Sequence, residues 1–289
     1  MQRRKALQSG LHILEQNSVP SAQLATELLL MQVLGIDRAA LYTNLEIEVP
    51  LDLERRYMEL IRERAAGKPV QYITGHQEFW GLDFEVNPDV LIPRPETEML
   101  VETVIGLVGG NPAMRRAARL QMADVGTGSG CIAIALAAEF PSSRIFATDL
   151  SRPALTVAER NAGRLGLRRS ITFVQCDLLE CFVAGDNQPF DLVVANPPYV
   201  SREEIAGLQR EVRDFEPRLA LGGFASNDEI YRRLIPQAHA VLKEGGRLIL
   251  EMGYSMAEEV AALLGEGWNA VEIRADLSGI PRVVIARKQ

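Results

Sequence analysis

Cysteine and histidine are scarce in this chain, with three of each among 289 residues. Cys131, Cys176 and Cys181 form no CxxC pair and are odd in number, which argues against a disulfide framework and fits a reducing compartment. They read as small apolar residues in or near a core. His12, His76 and His239 are far apart, with no HExxH or similar spacing, so no metal site is expected. Basic charge is not in excess either. The 31 Lys and Arg face 38 Asp and Glu, a net charge of −7, which gives no general attraction for nucleic-acid phosphate. No stretch approaches the roughly 18 apolar residues that span a bilayer. The basic opening "MQRRKALQSGLHILEQNS" lacks the apolar run of a signal peptide. A cytoplasmic protein is expected, without membrane contact.

What remains is an ordinary globular composition, 47% hydrophobic and 24% charged, long enough for one large or two modest domains. Residues 1–74 carry helical periodicity. "SAQLATELLLMQVLGID" offers Ser21 as an N-cap and Gly35 as a stop, and "PLDLERRYMELIRERAAGKP" runs from Pro50 to Gly67. A small helical bundle is expected there. In "GHQEFWGLDFEVNPDVLIPRPETEMLVE" the period shortens, and Gly81, Pro88, Pro93 and Pro95 interrupt it. That pattern predicts a β-hairpin linker over residues 75–95, with a helix from about Glu96.

From Leu120 strands and helices alternate. "LQMADVG", "SRIFATDL", "ITFVQCDLL", "FDLVVANPP" and "RLILEMG" read as strands, with helical patterns between them. The tail "AVEIRADLSGIPRVVIARK" reads as two closing strands. The fold class is α/β, with a mostly parallel sheet covered on both faces and an antiparallel C-terminal edge, over residues 96–289.

"ADVGTGSGCIAIALA" places Gly126, Gly128 and Gly130 after a strand and before a helix. Glycine permits the sharp turn and the close approach of a ligand, and the helix start offers free N–H groups. The spacing is G-x-G-x-G, not the dinucleotide G-x-G-x-x-G, and no phosphate-loop lysine follows. A nucleoside ligand without a pyrophosphate fits better. Asp149 ends the next strand, where an acid accepts hydrogen bonds from ribose hydroxyls. Asp124 ends the first strand and suits the cationic or amino-acid end of a ligand. Asp177 ends a third strand, near an adenine amino group, with Leu178 packing beside the ring.

"NPPY", residues 196–199, closes a fourth strand on the same sheet edge. Each proline fixes its own φ, and the residue before it is pushed to extended geometry. Asn196, Pro197 and Pro198 therefore form a stiff corner rich in carbonyl acceptors, with a further acceptor on the Asn196 side chain. Tyr199 adds a flat aromatic face. Two acceptors beside such a plate suit a planar, conjugated NH₂ group. Holding both hydrogens favours the pyramidal nitrogen that forms during attack on an electrophile, by positioning and electrostatics rather than by a strong base.

"DVGTGSG", "TDLS" and "NPPY", in that order, resemble class I S-adenosylmethionine-dependent methyltransferases. With "GKPVQYITGHQEFWGLDFEVNPDVLIPRPETEMLVE" ahead of them and "DLSGIPRVVIARK" behind, nearly the whole chain resembles the release-factor glutamine methyltransferases, known as HemK or PrmC. The resemblance implies a Rossmann-like seven-stranded methyltransferase sheet preceded by a helical substrate-recognition domain. It implies S-adenosyl-L-methionine as cofactor, with Gly126, Thr127, Gly128, Ser129 and Gly130 around its methionine part, Asp149 at the ribose, and Asp177 and Leu178 at the adenine. Many relatives carry an aromatic residue in place of Leu178. Asn196 and the Pro197 carbonyl would hold the substrate amide, Tyr199 would pack on it, and Arg94 and Glu96 of "PRPETE" would line the rim. The implied substrate is the glutamine of a GGQ-type loop in a class I peptide-chain release factor, methylated by a monomeric enzyme. NPPY chemistry alone fits equally a nucleic-acid adenine-N6 or guanine-N2 methyltransferase, although the acidic charge and the lack of a base-reading domain count against it. A ribosomal-protein glutamine is a close variant of the first reading. A non-enzymatic nucleoside-binding module would not need an intact NPPY.

Overall fold

The computed structural model describes residues 1–110, 119–184 and 190–289. They form two compact units, Met1–His76 with Gln209–Phe215, and Gln77–Leu208 with Glu216–Gln289.

The first unit is helical. Helices Arg3–Gln16, Ala22–Leu34 and Leu51–Ala65 pack around Leu14, Leu29, Leu30, Tyr57 and Ile61, joined by short helices Arg38–Thr43 and Val70–Thr74. Gly35 ends the second helix in the left-handed region at φ 64°, as the sequence predicts. Ser21 starts it differently: it sits at φ 51° and makes no side-chain cap bond. In Leu51–Ala65, Asp52 and Glu54 occupy the first turn and Arg62 and Arg64 the last, each sign complementing the helix dipole. Residues 209–215 were not expected here. Arg64 is buried, donates to the Lys68 carbonyl at 3.1 Å and pairs with Glu211. No local pattern marks a partner so distant in sequence.

The predicted hairpin, β1 (His76–Phe79) and β2 (Leu82–Glu85), belongs to the second unit from Gln77 onward. Phe79 and Phe84 are fully buried in one core with Leu100, Val104, Met122 and Ile134, so the hairpin is part of the unit's packing. A 3-10 turn at Pro95–Thr97 leads into helix Glu98–Gly110. The main sheet comprises β3 (Gln121–Val125), β4 (Arg144–Asp149), β5 (Ile171–Gln175), β6 (Phe190–Ala195), β9 (Leu242–Glu251), β10 (Trp268–Ala275) and β11 (Pro281–Lys288). Their order is β10-β11-β9-β6-β3-β4-β5. The strands from β9 through β5 are parallel, and β10 and β11 form the predicted antiparallel edge.

Near-continuous apolar strands follow from burial on both faces. Successive side chains point to opposite faces: Met122, Leu192 and Val194 enter the core that holds the hairpin, while Ala123, Val193 and Ala195 enter a second core with Leu234, Ile235 and Trp268. From central β3 the chain builds outward through β4 and β5, then returns to β3's other side as β6. That reversal opens a crevice at the carboxyl ends of the strands, where ligands of such sheets bind. The sequence did not suggest β7 (Val200–Ser201) and β8 (Gly222–Phe224), a short parallel pair just after NPPY. Among the described residues no helix is long and apolar enough to cross a membrane.

Candidate active site

A cavity lies at that crevice. Its wall includes Gly126, Gly128, Asp149, Asp177, Leu178, Asn196 and Pro198. Residues from four strand ends thus share one space, although Gly126 and Pro198 are 72 positions apart in the chain.

The glycine turn divides by role. Gly126, Gly128 and Gly130 all have positive φ, at 73°, 55° and 84°. A Cβ added to Gly126 or Gly128 meets nothing within 4 Å, so these two present bare backbone to open space. A Cβ on Gly130 lies 3.1 Å from the Ala158 Cβ, so this glycine serves close packing instead. The Gly126 and Thr127 amides both donate to the Thr148 carbonyl at 2.9 Å, which fastens the turn to β4. Thr127 and Ser129 are buried beneath it and are not on the cavity wall.

Three acids stand at strand ends, and each does something different. Asp124 is fully buried and absent from the cavity wall. Its Oδ2 accepts from the Thr127 hydroxyl at 2.6 Å and the Ala133 amide at 3.1 Å, so it braces the turn from below. Burial pushes its carboxyl up to about 7, against those two hydrogen bonds and with some help from the Asp149 charge. Asp149 does line the cavity. Its Oδ2 accepts the Gly128 amide at 2.9 Å and its Oδ1 the Ser151 amide at 2.8 Å, and burial raises its pKa while those bonds oppose the rise. Asp177 also lines the cavity, but its Oδ2 is paired with Arg233 at 2.7 Å. Arg233 is itself on the wall, from helix Glu229–Val241, and sequence reasoning missed it.

The sequence also missed most of the apolar lining, which includes Val90, Leu150, Pro217, Leu219, Phe224 and Ile230. Leu178 stands among these residues with φ 52°. Bare glycine backbone, an acid at the neighbouring strand end and apolar walls suit a nucleoside without phosphate.

The NPPY corner reaches the same cavity through Asn196 and Pro198. The Asn196 amide nitrogen donates to the Thr97 hydroxyl at 3.0 Å, which directs the amide's NH₂ end away from its carbonyl end. Tyr199 is half-buried, and Gly253 gives its ring room: a Cβ there would lie 2.7 Å from the Tyr199 Cδ2. Burial holds the Tyr199 hydroxyl above its ordinary pKa; Glu251 adds to the rise and Arg282 opposes it. Pro197 and Tyr199 are not on the cavity wall.

Arg94 and Glu96 do not line the cavity either. Arg94 donates to Glu216 at 2.5 Å, and the buried Glu216 also accepts the Ile92 amide at 3.4 Å, so Arg94 secures the segment before the 3-10 turn. Glu96 is exposed beside it. Two buried residues here carried no expectation, Thr97 within "PRPETE" and Glu251 at the end of β9. An acid at a strand end was the signal that picked out the other three; Glu251 carries it too.

Comparison with known proteins follows the same division of the chain. A family model described as "PrmC N-terminal domain" matches residues 5–75, and one described as "Methyltransferase small domain" matches residues 112–223. A release factor glutamine methyltransferase of Koribacter versatilis is 46% identical over 285 residues, 99% of this chain and 98% of that protein. One from Geobacter sulfurreducens is 41% identical over 288 residues, 98% of this chain and 96% of that protein. Among solved structures, the hMettl16 catalytic domain in complex with an RNA hairpin aligns with a TM-score of 0.56 at 17% identity, covering 78% of this chain and 81% of that one. A Thermus thermophilus 16S rRNA N2 G1207 methyltransferase, in complex with AdoMet and guanosine, aligns at 0.53 and 17%, covering 74% of this chain and 50% of that one. At such identities these two structures establish likeness of fold.

Proposed function

The chain belongs to the release factor glutamine methyltransferase family, and from that membership we propose that it transfers a methyl group from S-adenosyl-L-methionine to the side-chain N5 of the glutamine in the GGQ motif of class I peptide-chain release factors. One observation carries the reading. Asn196 and Pro198 of the acceptor-rich corner line the same cavity as Gly126, Gly128 and Asp149 of the nucleoside-binding edge.

The residues present fit the cofactor. Gly126 and Gly128, whose backbone faces open space, would admit its methionine part, and Asp149, Leu178 and the apolar residues on the cavity wall would take its ribose and adenine. Asp177, whose Oδ2 accepts from Arg233, would serve the adenine end. Asp124, Thr127, Ser129 and Gly130 set the shape of the turn from beneath. When bound, S-adenosylmethionine supplies an electrophilic methyl on a cationic sulfur and leaves as S-adenosylhomocysteine.

The chain's own residues hold the acceptor. With its NH₂ committed to Thr97, Asn196 offers Oδ1 to one N–H of the substrate amide. The Pro197 carbonyl takes the other, and the Tyr199 ring packs against the amide plane. The amide nitrogen is a poor nucleophile because its lone pair is conjugated. Two acceptors on its hydrogens favour the pyramidal form, and the proton released as the new N–C bond forms passes to water or to a carbonyl. Arg94 and Glu96 act at the rim, Arg94 by fixing the turn that carries Thr97. The helical first unit selects the release factor, and the enzyme works as a cytoplasmic monomer.

The test is to incubate the protein with methyl-labelled cofactor and, separately, release factors, ribosomal proteins and nucleic acid. Label on the GGQ glutamine by mass spectrometry supports the reading; label confined to a ribosomal-protein glutamine or to a base overturns it.

A further inference from the structure

Asp177 lies two residues beyond β5, in a segment whose backbone is anchored on both sides. The Cys176 amide donates to the Asp149 carbonyl at 3.0 Å, which ties this segment to the end of β4. The Leu179 amide donates to Gln237 Oε1 at 2.8 Å, and Leu179 is fully buried. Leu178, between these anchors, is held in the left-handed region at φ 52°, where a residue with a side chain is uncommon. With the main chain fixed, the Asp177 carboxylate retains only its side-chain rotations.

Arg233 takes up that freedom. It lies one turn before Gln237 on helix Glu229–Val241, so one face of one helix meets both Asp177 and Leu179. Its Nη2 donates to Asp177 Oδ2 at 2.7 Å and lies 3.5 Å from Glu180 Oε1. Both Asp177 and Arg233 line the cavity. Their side chains are 34% and 40% exposed, too exposed for the ion pair to contribute much to stability. Its effect is on orientation. A carboxylate has two oxygens, and with Oδ2 tied to Arg233, Oδ1 is presented as an acceptor in one direction. An adenine amino group donates to such an oxygen. Hypoxanthine carries a carbonyl oxygen at the same ring position, which sets acceptor against acceptor.

We propose that Arg233 is a positioning residue that determines nucleobase specificity: by holding Asp177 Oδ2 it aims the other carboxylate oxygen at the base, and it acts only through Asp177. The proposal rests on the methyl-transfer reading for its ligand, since that reading puts the cofactor's adenine at Asp177. The choice of base is thereby made by a helix that carries neither the glycine turn nor the NPPY corner.

The experiment compares wild type, Arg233→Met, Asp177→Ala and the Arg233→Met/Asp177→Ala pair in the full-length protein. Methionine keeps an unbranched stem and loses the guanidinium. Calorimetry measures Kd for S-adenosylhomocysteine and for S-inosylhomocysteine, the same molecule with hypoxanthine as its base. Urea denaturation measures stability. Wild type binds the adenosyl compound at least about tenfold more tightly than the inosyl compound. Arg233→Met weakens the adenosyl compound by about tenfold and the inosyl compound by less than about threefold, so the preference collapses while the urea midpoint stays in place. The double variant binds no more weakly than Asp177→Ala alone, because both changes act on one contact. A wild type without preference, or an Arg233→Met protein that keeps the wild-type preference whatever its urea midpoint, would overturn the proposal. So would a further loss when Arg233→Met is added to Asp177→Ala, which would make Arg233 a direct contact. Wild-type protein that binds S-adenosylhomocysteine and methylates no glutamine sinks the acceptor assignment and leaves this test in force. Wild-type protein that binds neither compound sinks the methyl-transfer reading together with the proposal.

Discussion

Asp149 Oδ2 accepts the Gly128 amide proton at 2.9 Å, which ties the end of β4 to the glycine turn that follows β3. One carboxylate therefore shapes the turn and faces the cavity at once. Replacing Asp149 with alanine removes both effects. Cofactor affinity is expected to fall by about tenfold or more, the loss of one or two hydrogen bonds to a charged group. Calorimetry on the folded variant checks this, and an unchanged Kd counts against the role.

Asn196→Ala separates chemistry from cofactor binding. The side chain lines the cavity, but its amide nitrogen is committed to Thr97. Methyl transfer should drop by about a hundredfold or more through kcat, as for loss of an oriented acceptor in a preorganised site. Cofactor Kd should stay within a few-fold. Severe loss of cofactor binding by a well-folded variant would show that the corner serves the wrong partner.

How much of this was legible in the sequence depends on the range over which each residue is determined. The glycine turn and the NPPY corner are written in local backbone chemistry, and the structure brings them to one cavity. The strand-end acids were legible as positions. Their bonding was not, because Arg233 reaches Asp177 from a helix whose pattern reports only its buried face. Asp124 looked like a ligand contact, yet it is turned under the loop by Thr127 and Ala133, a choice made by packing. Glu251 comes to this edge of the sheet only because β9 lies beside β6. The β7–β8 pair is too short for periodicity to announce it.

Stability should carry a pH signature from Glu251. Burial pushes its carboxyl up to about 7, while the Thr97 hydroxyl and the Arg282 and Arg94 charges pull it down and Glu96 pushes it up. An acid with a raised folded pKa binds its proton more tightly folded than unfolded. Its contribution is fully present below the unfolded pKa, near 4, and is lost as pH rises through about 7. Glu251→Gln abolishes that titration. Relative to wild type, the variant should gain about 1–3 kcal/mol between pH 4 and pH 8. Urea denaturation at those two pH values measures it, and a gap that shrinks with rising pH contradicts the assignment.

Glu211 makes a prediction for the helical unit. Its partner Arg64 has a side chain only 5% exposed, and the Arg64 Nε already lacks a hydrogen bond. Glu211→Ala leaves that guanidinium without its counter-charge and should cost about 2–3 kcal/mol. Glu211→Gln, which keeps an acceptor, should cost less. Amide hydrogen exchange along Leu51–Ala65 is the readout, and equal protection in wild type and the alanine variant would show the pair to be dispensable.

The membership of Gln209–Phe215 in the helical unit bears on how the protein is made. Synthesis proceeds from the N-terminus, and domains commonly fold as they emerge. Here the five N-terminal helices leave the ribosome long before Glu211 exists, and for that interval the Arg64 guanidinium waits without its acid. The nascent bundle is therefore a provisional structure, completed only once most of the sheet has been translated. A fragment cut at His76 would be frozen at that provisional stage.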